Sequence, residues 1–260
     1  MESVTSTDGT AIAAVKSGAG PPLVLVHGTT ADHTRWSGVS PQLEEHFTVC
    51  AVDRRGRGES GDTGAYSIQR EAEDIAAVVE AIEGTVAVLA HSYGAVCSLE
   101  AALLTDGIHK MVLYEPPIPT GLDMYPPGVP DLMQELIDDD DPEGALELFF
   151  KSVVGMPEHE FDEYRQLPMW SRRVELAHTI PRELAIDKHY SFDPTKFADL
   201  DVPTLLLLGG DSPPMFRRAV EAVDAALPDS RVVTLAGQQH IAMDTNPELF
   251  LDEVLLFLRE

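Results

Sequence analysis

The sequence predicts an α/β protein built on a doubly wound, mostly parallel β-sheet. Three observations support this prediction: short apolar runs recur along the 260 residues, amphipathic helical patterns alternate with them, and the alternation is interrupted once by a long proline-rich segment. Strands of a parallel sheet are covered on both faces and are therefore continuously apolar, and alternation with helices is typical of βαβ units. A chain of this length allows one or two domains.

The elements follow one another in a regular order. Between Val4 and Lys16 the residues alternate in polarity around Asp8-Gly9, which predicts a β-hairpin. The apolar runs predict core strands at Leu23–Val26, Thr48–Val52, Val86–Ala90, Met111–Tyr114, Thr204–Leu208 and Arg231–Leu235. The intervening patterns predict helices at Ile68–Ile82, Ala95–Leu104, Pro214–Leu227 and Pro247–Leu258.

The segment from about Pro116 to Leu200 contains no predicted strand. It holds 11 of the 19 prolines and 9 of the 17 aromatic residues, with helical patterns at Asp131–Ile137 and Pro142–Val154. So many aromatic side chains indicate that the segment packs on something, and we expect a helical insertion that covers the ends of the sheet. The sequence therefore predicts an α/β core of residues 1–116 and 200–260 and a helical lid of residues 117–199.

Charge and composition exclude several classes of function. The chain has 18 basic and 44 acidic residues, a net charge of -26, which argues against a nucleic-acid or anionic-membrane binder. No apolar run approaches the ~18–20 residues of a membrane span, and we expect no signal peptide. The two cysteines, Cys50 and Cys97, cannot build a disulfide scaffold, so we expect a cytoplasmic protein. The scarcity of lysine fits a salt-adapted source and a high-GC coding bias equally well.

The clearest chemical signal surrounds Ser92, between a predicted strand and a predicted helix. Ala90 and Gly94 flank it two positions away on each side. A nucleophile presented on a sharp strand-to-helix turn needs small neighbours, and the helix N-terminus beyond it offers free N–H groups. The competing interpretation of Ser92 is an ordinary helix cap.

Residues at the ends of other strands complete a candidate site. His27-Gly28-Thr29 closes the first core strand, so we expect the backbone N–H groups of Thr29 and Tyr93 to form an oxyanion hole. Asp211 follows the apolar run that ends at Gly209-Gly210, although it could instead cap the next helix.

His240 lies just past the last predicted strand. The order Ser92, Asp211, His240 is the order in which nucleophile, acid and base occur in hydrolases with a nucleophile on such a turn. Glu115, which ends the preceding strand, is the competing acid, and we prefer Asp211.

The chain resembles the α/β-hydrolase-fold proteins over nearly its whole length. The resemblance is carried by His27-Gly28-Thr29, the stretch Asp53–Ser60, the turn around Ser92, Gly209-Gly210-Asp211 and His240. It implies an eight-stranded sheet, a helical lid after the sixth strand, and a Ser92–His240–Asp211 triad that works through an acyl-enzyme. Ala90 stands where many members have glycine. A serine at position 92 also excludes the dehalogenase and soluble-epoxide-hydrolase branches, which use aspartate there.

The substrate is less well indicated than the chemistry. We expect Thr30, Trp36 and Trp170 to line a pocket for a small to medium apolar acyl or aryl ester, thioester or lactone. No metal-binding or nucleotide-binding motif occurs, so we expect no metal and no cofactor. Alternatives on the same triad are C–C bond hydrolysis and cofactor-free perhydrolysis, and a different class is a ligand-binding signalling protein. A homodimer is compatible with all of these.

Overall fold

The computed structural model describes residues 1–121, 125–156 and 158–260 and is built around an eight-stranded β-sheet. The strands are β1 (Glu2–Thr5), β2 (Ala11–Gly18), β3 (Pro22–Val26), β4 (Thr48–Val52), β5 (Val86–His91), β6 (Ile108–Tyr114), β7 (Thr204–Gly209) and β8 (Ser230–Leu235). They are ordered β1-β2-β4-β3-β5-β6-β7-β8 in the sheet. Strand β2 runs antiparallel to both neighbours, and β4, β3 and β5 to β8 run parallel. The predicted fold class is confirmed.

Helices follow each of the strands from β3 to β8 in the chain. They are α1 (Ser40–Glu44), α2 (Ile68–Glu80), α3 (Tyr93–Ala101), α4 (Val129–Asp138), α5 (Pro142–Phe149), α6 (Glu158–Tyr164), α7 (Trp170–Leu176), α8 (Ile180–Leu184), α9 (Ile186–His189), α10 (Pro214–Ala226), α11 (Ala242–Thr245) and α12 (Pro247–Arg259). No helix in the described part of the chain combines the length and apolarity needed to cross a membrane.

Local sequence explains where the long helices begin and which face they bury. The Ser67 side chain accepts a hydrogen bond from the Arg70 backbone N–H and caps α2. Ala72, Ile75 and Val79 recur at helical spacing and are all buried, as their pattern predicts.

The chain divides into two compact units. The core unit comprises Met1–Gly28, Asp32–Thr120 and Ser191–Glu260, and the insertion unit comprises Thr29–Ala31 and Gly121–Tyr190. Each unit has its own hydrophobic cluster, built in the core unit around strands and α12 and in the insertion unit around Phe150, Phe161 and Trp170. The long helical segment lies between β6 and β7 in the chain. Its placement over the ends of the sheet stays a prediction.

Candidate active site

Ser92 lies at the joint between β5 and α3 in an unusual backbone conformation. Its φ is 54° and its ψ is -127°, and its N–H donates to the carbonyl of Tyr114 at 2.8 Å. A residue other than glycine in this region costs on the order of 1–3 kcal/mol, and such residues cluster at functional sites. Ser92 is 9% exposed, so the residue is largely buried but a small part of it remains accessible to solvent.

The small residues around Ser92 are explained by close backbone packing. A Cβ on Gly28 would lie 2.8 Å from the Cβ of Ser92, and a Cβ on Gly94 would lie 2.3 Å from the carbonyl oxygen of His27. The end of β3 and the start of α3 therefore touch through their backbones. Any larger residue at position 94 would push the helix away from the strand.

His27 holds the end of β3 in place as a neutral imidazole. Its Nδ1 lies 2.8 Å from the Gly28 carbonyl, and its Nε2 accepts the Arg54 backbone N–H at 3.2 Å. Nε2 can accept only without a proton, so Nδ1 is the donor. Complete burial lowers the pKa of His27 well below its ordinary value, which maintains this neutral form.

His240 is bonded to a buried carboxylate. Its Nδ1 lies 2.6 Å from Oε2 of Glu115, which has no exposed surface, and Oε1 of Glu115 accepts the Gly209 backbone N–H at 2.7 Å. The imidazole is stacked on Phe216, with ring centroids 4.3 Å apart and planes at 21°, and it contacts His91 at 4.6 Å. Because Nδ1 is occupied by Glu115, Nε2 is the atom left for a reacting group.

The carboxylate beside His240 differs from the sequence prediction. Asp211 is exposed, its backbone N–H donates to the Gln238 carbonyl at 2.9 Å, and among the described residues nothing hydrogen bonds to its carboxylate. The prediction that Asp211 orients His240 is corrected: Glu115 does so. Strand order does not decide this, because β7, which precedes Asp211, lies beside β8, which precedes His240. The outcome depends on the Glu115 side chain, whose Oε1 accepts the N–H of Gly209 at the end of β7 and whose Oε2 lies at His240 Nδ1.

The oxyanion donors stay a prediction. Tyr93 is the first residue of α3, where backbone N–H groups point out of the helix end. Its ring is 4% exposed, lies 4.8 Å from the Arg54 guanidinium, and its hydroxyl lies 3.0 Å from that of Tyr66. Thr29 directly follows Gly28, where an added Cβ would lie 2.8 Å from the Cβ of Ser92.

The predicted pocket residues are more enclosed than expected. Trp36 has no exposed surface and belongs to the hydrophobic cluster of the core unit. Trp170 is 8% exposed, packs in the aromatic cluster of the insertion unit, and donates from Nε1 to Glu143 at 2.9 Å. Each side chain packs mainly in the core of its own unit, and their assignment to a substrate pocket stays a prediction. Thr30 is buried at φ 58° and accepts hydrogen bonds from Arg173.

A group of Asp32, His33 and Asp53 brings three potential metal ligands within 4.8 Å of one another among the described residues. Each carboxylate has a structural task. Asp32 accepts the Thr34 N–H at 2.9 Å, and Asp53 accepts the backbone N–H groups of His33 at 2.8 Å and Glu59 at 3.1 Å. These bonds hold the turns after β3 and β4, and they account for the acids without an ion.

Comparison with known proteins places this geometry in a family. The sequence profile described as "Alpha/beta hydrolase family" matches residues 23–253. The chain belongs to this family. An alpha/beta hydrolase from Sphaerobacter thermophilus has a TM-score of 0.85 and 35% identity, covering 97% of this chain and 99% of that one. An esterase from a Rhodococcus species has a TM-score of 0.79 and 25% identity, covering 100% and 98%.

Two curated relatives differ in how much of their length is matched. The "Pimeloyl-[acyl-carrier protein] methyl ester esterase" of Aeromonas hydrophila is 24% identical over 249 residues, 93% of this chain and 96% of that protein. The "Probable oxidoreductase EphD" of Mycobacterium tuberculosis is 40% identical over 100 residues. That match covers 36% of this chain and 17% of the relative, so the shared stretch is a small part of that protein.

Proposed function

We propose that the protein is a serine hydrolase that cleaves a small carboxylic ester, thioester or lactone through a Ser92–His240–Glu115 triad. The observation that carries the proposal is the 2.6 Å contact between His240 Nδ1 and the fully buried Glu115. An imidazole oriented by a carboxylate and a serine on a strained strand-to-helix turn are the parts that such hydrolases use to activate a hydroxyl as a nucleophile.

In the proposed reaction, Nε2 of His240 takes the proton of Ser92 Oγ as Oγ attacks the substrate carbonyl carbon. The backbone N–H groups of Thr29 and Tyr93 stabilise the resulting oxyanion. The intermediate collapses, and the leaving alcohol or thiol takes the proton from His240. A water molecule that gives its proton to His240 Nε2 then attacks the acyl carbon. The bond to Ser92 Oγ breaks, Oγ takes the proton from His240, and the carboxylic acid product leaves.

Glu115 is suited to its proposed task because both of its oxygens are bonded. A buried carboxylate is costly unless it is paired and hydrogen-bonded. Oε1 accepts the Gly209 N–H, and Oε2 accepts from His240 Nδ1. Glu115 therefore fixes the tautomer that leaves Nε2 free to accept a proton, and it stabilises the imidazolium formed during the reaction.

The substrate class is proposed from composition and relatives. Basic residues are few, 18 in the whole chain, which disfavours a highly anionic substrate. Two of the relatives that match nearly the full chain are esterases by name, and one of these names is a methyl ester esterase for a carrier-bound acyl chain. We therefore propose an apolar acyl or aryl ester. The two buried free cysteines fit a reducing, cytoplasmic location.

A fluorophosphonate probe tests this proposal, because it reacts only with an activated serine. We expect stoichiometric labelling of wild type at Ser92, no labelling of Ser92→Ala, and hydrolysis of p-nitrophenyl esters that falls by about 10⁴-fold or more in the variant. The melting temperature should be unchanged, since only one hydroxyl is lost. Residual hydrolysis above a tenth of wild type would show that Ser92 merely begins a helix.

A further inference from the structure

We propose that Tyr114 and His91 are positioning residues that clamp the backbone of residues 239–242 and thereby fix the imidazole of His240 for proton transfer. The inference rests on the proposed function, since it assigns to His240 the task of accepting the Ser92 proton. Neither residue is expected to touch the substrate. Each acts through the peptide groups on either side of His240.

Tyr114 bonds to backbone groups before and after His240. It is the last residue of β6, and its hydroxyl donates to the carbonyl of Gln239 and accepts the N–H of Ala242 at 3.2 Å. A phenol can donate one hydrogen bond and accept another, so a single hydroxyl satisfies both groups. Burial raises the pKa of Tyr114 well above its usual value, which keeps the hydroxyl protonated and able to donate.

His91 bonds to the carbonyl of His240 itself. Its Nε2 lies 2.8 Å from that oxygen, and because a carbonyl can only accept, Nε2 must carry a proton. The ring is 5% exposed and lies 5.4 Å from the ring of Tyr114 and 4.6 Å from that of His240. His91 immediately precedes Ser92, so one residue links the nucleophile's turn to the loop that carries the base.

The location of His240 explains why such a clamp is needed. The residue lies in a loop after β8, and its neighbours Gln239 and Ile241 are exposed, so the loop has little packing of its own. Proton transfer requires donor and acceptor at hydrogen-bond distance, and a misplacement of 1 Å can cost about 100-fold in rate. Strands β5 and β6 are buried and paired with each other, and they supply rigid anchors for the loop.

The test compares four variants. Tyr114→Phe removes only the hydroxyl, His91→Leu removes the donor, and His91→Gln keeps an N–H at a similar distance from the backbone. Thr204→Val is the matched control, because Thr204 is also buried and also donates to a carbonyl, that of Val202 at 2.8 Å. It lies at the start of β7, at the opposite end of that strand from Gly209.

For each variant, the extent of fluorophosphonate labelling counts folded sites, and the labelling rate reports the activation of Ser92. We expect Tyr114→Phe and His91→Leu to label fully but about 10- to 100-fold more slowly, with kcat reduced to match and KM within about 3-fold of wild type. His91→Gln should recover most of the rate, and Thr204→Val should label like wild type.

Two results would overturn the clamp while the proposed function stands. One is wild-type labelling rates in both Tyr114→Phe and His91→Leu. The other is a His91→Gln variant as slow as His91→Leu, since the carbonyl bond would then not be what matters. If wild type itself does not label at Ser92, it is the proposed function that fails.

Discussion

At the scale of single residues, two residues of the proposed active site have strained backbone conformations. Ser92 and Glu115 both have left-handed backbones, with φ of 54° and 47°, although neither is glycine. Each directly follows a strand, and the strands are neighbours, with His91 paired to Tyr114 in the parallel register. Such conformations persist only where surrounding structure imposes them. Thr30 and Asp140 are the other non-glycine residues with positive φ in the described part of the chain. Ser92 and Glu115 are the two of the four that directly follow neighbouring strands, and they are the residues proposed as nucleophile and acid.

The identity of the acid gives a direct prediction. Glu115→Gln should lower kcat by about 10⁴-fold, because an amide can present its NH₂ to Nδ1 and favour the wrong tautomer of His240. Asp211→Asn is the matched control and should stay within about 3-fold of wild type, since changes at exposed positions away from special features have small effects. Steady-state hydrolysis of one p-nitrophenyl ester measures both. A severe effect in Asp211→Asn and a mild one in Glu115→Gln would restore Asp211 as the acid.

At the scale of elements, a buried ion pair joins the turn after β4 to α2. The Arg54 guanidinium donates to Glu71 through two nitrogens, at 3.1 and 2.7 Å, and neither side chain has any exposed surface. The same guanidinium lies against the ring of Tyr93, the first residue of α3. The turn between residues 53 and 60 therefore packs α2 against the helix that follows Ser92. Its task is structural.

Breaking this pair should be costly. Glu71→Gln leaves the Arg54 charge buried without its carboxylate, and removing one partner of a buried pair destabilises by about 3–5 kcal/mol. Glu73→Gln is the matched control, because Glu73 pairs with Arg70 at 2.6 Å with side chains 21% and 40% exposed. Such an exposed pair contributes about 0–1 kcal/mol. Urea unfolding at constant pH measures both free energies, and equal losses would contradict a special role for the buried pair.

At the scale of the whole molecule, charge is the dominant feature. If each of the 18 basic side chains were paired with one carboxylate, 26 of the 44 acids would still have no cation. The excess keeps the protein soluble but makes the folded chain repel itself. Salt screens this repulsion, because the Debye length falls from about 30 Å at 0.01 M to about 8 Å at 0.15 M.

We therefore expect the melting temperature to rise as NaCl is increased from 0.01 M to 0.5 M. A gain of about 1 kcal/mol corresponds to ~2–4 °C for a chain of this size. Sucrose at equal osmolality is the control, since it acts by exclusion from the surface and not by screening. A salt-adapted protein should continue to gain stability into multimolar salt. No gain at any concentration would contradict both the repulsion and the adaptation.

The sequence by itself determined what depends on local pattern. Apolar runs located the core strands to within a few residues, because a strand covered on both faces must be apolar along its length. Ser92 could be predicted as the candidate nucleophile because a strained turn requires small neighbours, and Ala90 and Gly94 stand two positions away on each side. His240 could be predicted as the candidate base because it follows the last strand, and the carboxyl ends of parallel strands meet at one edge of the sheet.

Tertiary structure alone decided which distant groups meet. Asp211 and Glu115 both follow apolar strands, so local pattern could not choose between them. The two strands are neighbours in the sheet, and only the folded chain shows that the buried Glu115 bonds to His240 and to the N–H of Gly209 while Asp211 is exposed. The same limit applies to the position of Trp36 in the hydrophobic cluster of the core unit. It applies also to the proposed clamp, because the bonds of Tyr114 to Gln239 and of His91 to His240 each join residues more than 100 positions apart in the chain. Such contacts depend on where folding brings distant strand ends and loops together, which the spacing of residues in the sequence does not give.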